Sequence, residues 1–594
     1  MPGITTMMDI SRVALNTSAL QLNTVSHNVA NANTEGYSRQ NVVTATMFPE
    51  KASSGWYGLG VKAQTVTQAV DKLLLRRITD KQSSLSYEDA HMAQLLRLEA
   101  LSNEASDTSL GVLTTAFFNA WQNVSNNPES SAIREDLLET ANSLVTRLHD
   151  LDSDINLVLR DLDSYLDQAV KEVNEIAREI ASLNKQIVSD EVTGHTANDL
   201  RDQRVELLNK MASRLDISWF EDGRGSVTVS IGNGKTIVHD DYPRVSDSDP
   251  LQFDYPSGSA YGVGSKQIKW QGTDLIVEDQ EISGGTIGAW LRTRDVDIPE
   301  TLQFLEDFTK TLIGAVNVVH SNGVGLEKFE NITGSYGTVN PNLSFSAPEQ
   351  DLPFASMVQN GQLSFWVYQN GLRHQYTIDV YNYDSMNSIV DRMNQAMHPA
   401  WPVMDTSQAP AAYVSHNPGD NTYQFYMAAT PNSGVEFAFA GDSSGLLTAL
   451  GVNTFFKGDN IANINLNDNV LNVSNIAAGR LLANGDHPLG DNSNALIIAN
   501  LKDAGLMDNG RQTLNESVIH WAAQLGTKIS SSKDRLLFAQ TTYDELAKQR
   551  DNVSAVNSDE ELIKLIQFQR AYQAAAKMVS VADTLLETIL TLAR

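Results

Sequence analysis

Residues Ser26-His27-Asn28-Val29-Ala30-Asn31-Ala32-Asn33-Thr34-Glu35-Gly36-Tyr37-Ser38-Arg39-Gln40 read as the end of a helix and the chain's exit from it. Asn31, Asn33 and Gly36 are residue types that tolerate left-handed backbone, so they stop a helix. Tyr37 and Arg39 place amphipathic contact groups just beyond it. Towards the N-terminus, Leu15, Ala19, Leu22, Ser26 and Val29 keep heptad spacing, Thr6 offers a cap and Asp9 falls in the first turn. The chain therefore opens with an amphipathic helix.

The other end repeats this logic. Leu565, Phe568, Tyr572, Ala575, Val579, Ala582, Leu586, Ile589 and Ala593 alternate steps of three and four, and Ser558 with Glu561 reads as a capping box. The spacing predicts a helix from about 559 to the last residue. Both terminal seams are rich in Ala, Ser and Thr, which permits close approach but buries little area per helix. Each end can pack on its own domain's core, or the two can pair with each other or with neighbouring subunits.

Proline maps what lies between. Twelve of the 16 prolines fall between Pro243 and Pro431, so two long proline-free arms flank a turn-rich middle. In the first arm, Leu137, Ala141, Leu144, Leu148, Leu151, Ile155, Val158, Leu162 and Tyr165 form a heptad seam. Steps of four to Ala169 and Val173 insert a stutter, and Ile176, Ile180, Leu183 and Ile187 resume the pattern. One helix of about 50 residues, roughly 75 Å long, is expected. In the middle, Val227, Val229 and Ile231, a turn at Asn233-Gly234, then Thr236 and Val238 predict a hairpin. A second hairpin runs through Leu363, Phe365 and Val367, Gln369-Asn370-Gly371, and Tyr376, Ile378 and Val380. Ser385 to Met397 reads as helix, with strands near Tyr413 and from Tyr423 to Met427. Ile298 to Val319 is a further helix, its stripe Leu302, Leu305, Phe308, Leu312, Val316 and Val319. The fold class is multidomain α+β: a terminal α-helical coiled-coil region and a long helical-bundle domain, with inserted β and mixed α/β domains.

With 43 Lys and Arg against 72 Asp and Glu, the formal charge of the 594 residues is −29, which argues against a binder of nucleic-acid backbone. Residues 1–50 and 533–594 each carry only −1, so the acidity sits in the body of the chain. Cysteine is absent, removing disulfides, thiolate metal sites and thiol nucleophiles. No basic and apolar leader precedes Asp9, and no apolar run approaches the length of a membrane span, so neither a cleavable signal nor membrane insertion is expected. The 11 histidines show no metal-ligand spacing, Asp240-Asp241 and Asp247 to Asp249 lack the pattern of a calcium loop, and no phosphate-cradling glycine motif occurs. No cofactor is expected. Gly441-Asp442-Ser443-Ser444-Gly445, between a strand-like and a helix-like stretch, does match a nucleophile elbow. A serine hydrolase using Ser443 would need His487 or His520 as its base. The competing reading is a tight strand-to-helix turn with serines capping the helix.

The stretch from Ser26 to Gln40 resembles the N-terminal signature of bacterial flagellar axial proteins, the rod, hook and hook-associated families. Val556 to Glu561, Leu565 to Lys577 and Ala582 to Leu586 resemble that superfamily's C-terminal motif. Within it, Gly284 to Ala289 with Arg294-Asp295, Val316-Asn317 with His320 to Gly323, Leu450 to Phe456, and Gly490 to Asn492 with Asn494 to Leu496 are similar to the hook-associated family that forms the first hook–filament junction. The resemblance implies a structural junction protein and no enzyme. It implies export unfolded through the flagellar type III apparatus and assembly as a homo-oligomeric ring outside the cell, at the distal end of the hook. The implied partners are hook protein, the next junction protein (hook-associated protein 3) and an export chaperone on the C-terminal region. The assembly residues expected are Leu15, Leu22, Asn31, Asn33, Gly36, Tyr37 and Arg39 at one end, and Leu565, Phe568, Tyr572, Val579, Leu586 and Ile589 at the other. The expected domains are 1–50 with 551–594 (terminal helical core), 51–212, 291–326 and 456–550 (long helices), 213–290 (mainly β) and 327–455 (mixed α/β, outer). A hook or rod subunit is the alternative within the superfamily.

Overall fold

The computed structural model describes residues 2–52, 55–102, 106–192, 194, 196–231, 234–239, 242–243, 250–254, 266–270, 282–397 and 410–592. In chain order its elements are α1 (Pro2–Ala30), β1 (Gln40–Thr46), β2 (Glu50–Ala52), β3 (Gly55–Tyr57), β4 (Val61–Gln68), α2 (Lys72–Ser102), α3 (Leu110–Asn126), α4 (Ser131–Glu191) and α5 (Asn198–Arg214). Then come β5 (Ile217–Glu221), β6 (Val227–Ile231), β7 (Lys235–His239), β8 (Tyr242–Pro243), β9 (Leu251–Asp254), β10 (Gln267–Trp270), α6 (Gly285–Arg292) and, after a π-helical turn, α7 (Ile298–His320). The remainder is β11 (Asn331–Thr338), β12 (Gly361–Gln369), β13 (Leu372–Val380), α8 (Met386–Met397), β14 (Ala411–Asn417), β15 (Thr422–Ala428), β16 (Val435–Asp442), α9 (Leu446–Leu450), β17 (Phe456–Lys457), β18 (Asn465–Leu466), α10 (Ser493–Asn500), α11 (Leu514–Ser554) and α12 (Ser558–Leu592). Two compact units result: residues 1–95, 159–296 and 529–594 form one, and 96–158 with 297–528 the other. Among the described residues no helix is long and apolar enough to cross a membrane.

The long helix is longer than its apolar seam predicts. α4 has 61 residues, because the polar turns at both ends extend the helix without adding to the stripe. Every expected seam residue is buried except Tyr165, which is 40% exposed; Leu166, at 0%, occupies the core position instead. The stutter therefore comes one heptad earlier than expected, as consecutive steps of four from Val158 to Leu162 to Leu166. It falls where the chain leaves the second unit, after Val158, and enters the first. An extra four-step relaxes the left-handed wind of a heptad seam, so the buried face can change partners there.

In the first unit, Leu166, Val173 and Ile180 of α4 pack with Leu208 and Met211 of α5 over the sheet β5-β6-β7-β8, whose inward side chains include Val227, Val229 and Ile231. The expected β6–β7 hairpin is present, with Gly234 left-handed at φ +88°. Its alternation breaks at a bulge beside Val229, so Ile237 and Val238 are the buried pair and Thr236 is half-buried. Asn233, the acidic residues Asp240-Asp241 and Asp247 to Asp249, and Ala593 lie outside the described residues.

The second unit is built around aromatic side chains. Trp121 of α3 meets Phe455 edge to face with ring centroids 5.3 Å apart, and Phe117 meets Phe456 at 5.5 Å. The second hairpin forms as its spacing predicts: β12 pairs β13 with Gln369 opposite Leu372, across Asn370 at φ +48° and Gly371 at φ +80°. That two-residue left-handed turn matches the twist of the strands. β16 pairs the other edge of β12, and β11-β15-β14 form a second three-stranded sheet.

Candidate assembly interface

The interface begins at the exit from α1. Asn31 donates through both its backbone N–H, at 3.1 Å, and its side-chain Nδ2, at 3.0 Å, to the His27 carbonyl, so its amide caps the last turn. The Thr34 N–H then closes on the Asn31 carbonyl at 3.0 Å. With the turn closed this way, neither Asn31 nor Asn33 adopts the left-handed backbone expected of it. Only Gly36, at φ +77°, does so in this stretch.

The centre of the site is Asn28, a residue the periodicity did not single out. It is fully buried, and its side chain makes four hydrogen bonds. Oδ1 accepts from the Tyr37 hydroxyl at 2.8 Å and the Gln40 N–H at 2.9 Å, while Nδ2 donates to the Gln40 carbonyl at 2.9 Å and to Glu561 Oε2 at 2.9 Å. Glu561, on the first turn of α12, is 1% exposed and is also held by Lys564 at 2.6 Å. An amide can offer two donors and accept twice, so Asn28 is saturated. A buried carboxylate is stable only when so paired.

Neighbouring residues extend this junction of the two chain ends. The Arg39 N–H donates to the Ser554 carbonyl at 2.8 Å, and its guanidinium lies 3.5 Å from Glu560. On the other side the Ser38 N–H donates to Asp202 at 2.9 Å, and Gln40 Nε2 to Asp199 at 2.7 Å. Burial pushes the Asp202 carboxyl up to about 6, against the lowering effect of its bond from Ser38. Burial, with Asp199, Asp202 and Glu561 nearby, raises the Tyr37 phenol, which is held as a hydrogen-bond donor.

Along the rest of its length α1 packs on α12. The start of α12 is capped by Asn557, whose side chain accepts from the N–H groups of Asp559 and Glu560 at 3.0 and 3.3 Å. Ser558 is thus inside the helix and the expected capping box does not form; Glu561 turns inward to Asn28 instead. At the other end, α1 already starts at Pro2, so Thr6 is an internal helical residue and not its cap. Ala575 and Ala582 are buried, and Leu565, Phe568, Val579, Leu586 and Ile589 are half-buried on the same stripe, as the heptad predicts. Tyr572 departs from it at 41% exposed. On α1 the most buried side chains are Ser11, Thr17, Ser18, Thr24, Val25 and Asn28, so the covered face is offset from the expected seam. Leu15 and Leu22 are only half-buried. Burial on α1 follows its small residues, which let α12 on one side and β1 and β4 on another approach closely; Thr17 Oγ1 donates to the Val61 carbonyl of β4 at 3.2 Å. A signal for Glu561 was available: it stands in heptad phase with Phe568, Ala575, Ala582 and Ile589.

The hydrolase reading finds no assembled triad. Ser443 Oγ accepts from the Gln362 N–H at 2.9 Å, His487 bonds the Gly325 carbonyl at 2.6 Å, and His520 bonds Gln524 at 2.8 Å. Asp442 accepts from the N–H groups of Ser444, at 2.8 Å, and Leu447, at 2.7 Å, tying the end of β16 to α9. Gly441 to Gly445 is a strand-to-helix turn, with Gly445 at φ +77°. Among the described residues no group of three or more His, Asp or Glu is placed to hold a metal ion.

Three of the hook-associated-like segments converge in the second unit. Asn317 accepts from the N–H groups of Phe455 and Phe456, and Asn453 Nδ2 donates to the Gly323 carbonyl at 2.9 Å. Asn494 Nδ2 donates to the Ala477 carbonyl at 2.8 Å. A Cβ on Gly323 would lie 2.2 Å from Asn494 Nδ2. These motifs are the buried polar frame of a fold.

Comparison with known proteins gives the same two layers. Residues 8–37 match the flagella basal body rod protein model, and 547–592 the C-terminal model of the flagellar basal body rod FlgEFG proteins. Residues 95–335 match the helical domain of the flagellar hook-associated protein FlgK. The ends of the chain are thus similar to those of flagellar axial proteins, and the stretch between them is similar to a hook-associated protein. The chain is a homologue of flagellar hook-associated protein 1: it is 24% identical to that of Salmonella typhimurium over 97% of this chain and 98% of the relative, and 24% identical to that of Bacillus subtilis over 98% and 97%. The structure of the flagellar hook junction protein FlgK from Burkholderia pseudomallei has the same fold, with a TM-score of 0.52 at 14% identity over 81% of this chain and 100% of that one.

Proposed function

We propose that the protein is the structural subunit joining the flagellar hook to the filament, exported unfolded through the flagellar type III apparatus and assembled as a ring at the distal end of the hook. The observation that carries this is the closure of α1 on α12 through Asn28 and Glu561, within a chain that aligns with hook-associated protein 1 from end to end. In this reading the segments 1–50 and 551–594 line the inside of the assembly, the long helices surround them, and 213–290 and 327–455 point outward. The hook subunit lies on one side and hook-associated protein 3 on the other. Leu15, Leu22 and the half-exposed flank of α12 from Leu565 to Ile589, with Tyr572, meet neighbouring subunits. Before export the same α12 stripe is covered by a chaperone. Near-neutral termini suit close packing of copies, while the acidic body keeps the free subunit soluble.

The test is electron microscopy of cells lacking the protein, with assay of the medium for flagellin. Bare hooks with secreted flagellin are expected, and normal filaments would overturn the proposal. The rod-type models matching both ends favour a second reading, a hook or rod subunit. Immunogold labelling of isolated flagella separates the two: a single band at the hook's distal end is expected, and label along the hook would support the rival.

A further inference from the structure

We infer that Asn28 and Glu561 set the register of the terminal helix pair, acting as positioning residues that select one of several heptad alignments the rest of the seam would accept. The inference rests on the proposed role of this pair in assembly only for its consequence; the pairing itself lies within one chain. Asn28 at the C-terminal end of α1 touches Glu561 at the N-terminal end of α12. Two helices joined there pack along their length only if they run antiparallel.

Away from that end the seam carries little positional information. On α12 it repeats every seven residues through Phe568, Ala575, Ala582 and Ile589. On α1 it is Ser11, Ser18 and Val25, all small or short and nearly fully buried. A seven-residue slip would set alanines against serines much as before: the larger seam residues Phe568 and Ile589 are only half-buried, and the fully covered ones, Ala575 and Ala582, are not knobs that have to find one particular hole. The polar end is different. Moving α12 by one heptad, about 10 Å, would leave the Asn28 amide short of a partner and the Glu561 carboxylate buried without the amide that binds it. Unpaired buried polar groups are strongly disfavoured, which is how a single buried Asn selects register in a coiled coil. Consequently every copy would present its terminal pair at one fixed height, which a level ring requires.

The chain has no cysteine, so introduced pairs report cleanly. Counting 14 residues from Asn28 and from Glu561 sets Ala14 level with Ala575; Met7 and Gln21 would reach Ala575 only after a slip of one heptad in either direction. Three full-length proteins carry Ala575→Cys with Ala14→Cys, Met7→Cys or Gln21→Cys, and are oxidised both as purified subunit and on isolated flagella. In the otherwise native chain only the Ala14 pair is expected to cross-link. With Asn28→Leu and Glu561→Leu together, which keeps the site filled and leaves no orphaned charge, the slipped pairs should rise at least tenfold relative to the Ala14 pair. Glu561→Gln, which keeps an acceptor for Asn28, should retain the native pattern. Slipped cross-links in the native chain, or an unchanged pattern in the double-leucine chain, would overturn the inference. Absence of any cross-link in the native chain would instead overturn the pairing of α1 with α12 and with it the proposed assembly.

Discussion

At the scale of single residues, buried polar side chains tie together the segments that the apolar cores of both units bring close. His320 is fully buried between Trp121 and Phe455, with Nδ1 2.8 Å from the Asn453 carbonyl and Nε2 accepting from the Ala477 N–H at 3.0 Å. The neutral ring protonated on Nδ1 satisfies both bonds. Burial lowers its affinity for a second proton to about 4, helped by the buried Arg134 guanidinium. An unfolded histidine titrates near 6.5, so the unfolded chain takes up the proton first. Stability of the second unit is therefore complete above pH 6.5 and is lost as pH falls towards 4, by about 3 kcal/mol at pH 4.5. Hydrogen exchange of 317–323 and 453–456 at pH 7.5 and pH 5 should show this loss, and His320→Asn should remove most of the slope. Equal protection at both pH values would show that His320 does not carry it.

At the scale of elements, the long helix α4 shows how periodicity can be right in kind and wrong by one position. Alternating steps from Leu162 select Tyr165, an amphipathic residue that a stripe can include. Leu166 is the residue in the core, and Tyr165 lies at its edge with its ring 5.4 Å from Trp290. Leu166→Ala should therefore cost about 2–5 kcal/mol, as a fully buried leucine does. Tyr165→Ala should cost less than about 1.5 kcal/mol. Urea unfolding of the two variants decides the phase, since a larger loss for Tyr165 would place the stutter where the sequence first suggests. The two hairpins make the same point. The β12–β13 turn is legible because Asn370-Gly371 has one low-energy conformation, whereas the bulge in β7 at Ile237, opposite Val229 and Ser230, has no local signature and belongs with packing on α4 and α5.

At the scale of the whole molecule, the ends and the body have separate tasks. No residue beyond 528 belongs to the second unit, and its aromatic core from Phe117 to Phe456 uses none of α12. A chain ending at residue 558 should stay soluble and keep the protection of 317–323 and 453–456, while attaching no filament. Loss of that protection in the truncated chain would mean that the second unit depends on the terminal helices. The distribution of charge agrees with the division, since the excess of acid lies outside both terminal segments.

What the sequence determined by itself was whatever depends on neighbours along the chain: two amphipathic ends, one long heptad helix, the Asn-Gly hairpin and the strand-helix turn at Gly441 to Gly445. Each follows from a local period or from a residue type with few backbone choices. Motif resemblance added the class of protein, although the second unit shows several of those motifs to be frame residues such as Asn317 and Asn453, not contact residues. The tertiary structure alone decided which face of α1 is covered, that Leu166 replaces Tyr165, and that Asn28 meets Glu561. The last of these joins partners 533 residues apart in the chain, the others depend on elements brought together only by the fold, and a polar side chain reads as surface until the group that satisfies it is brought against it.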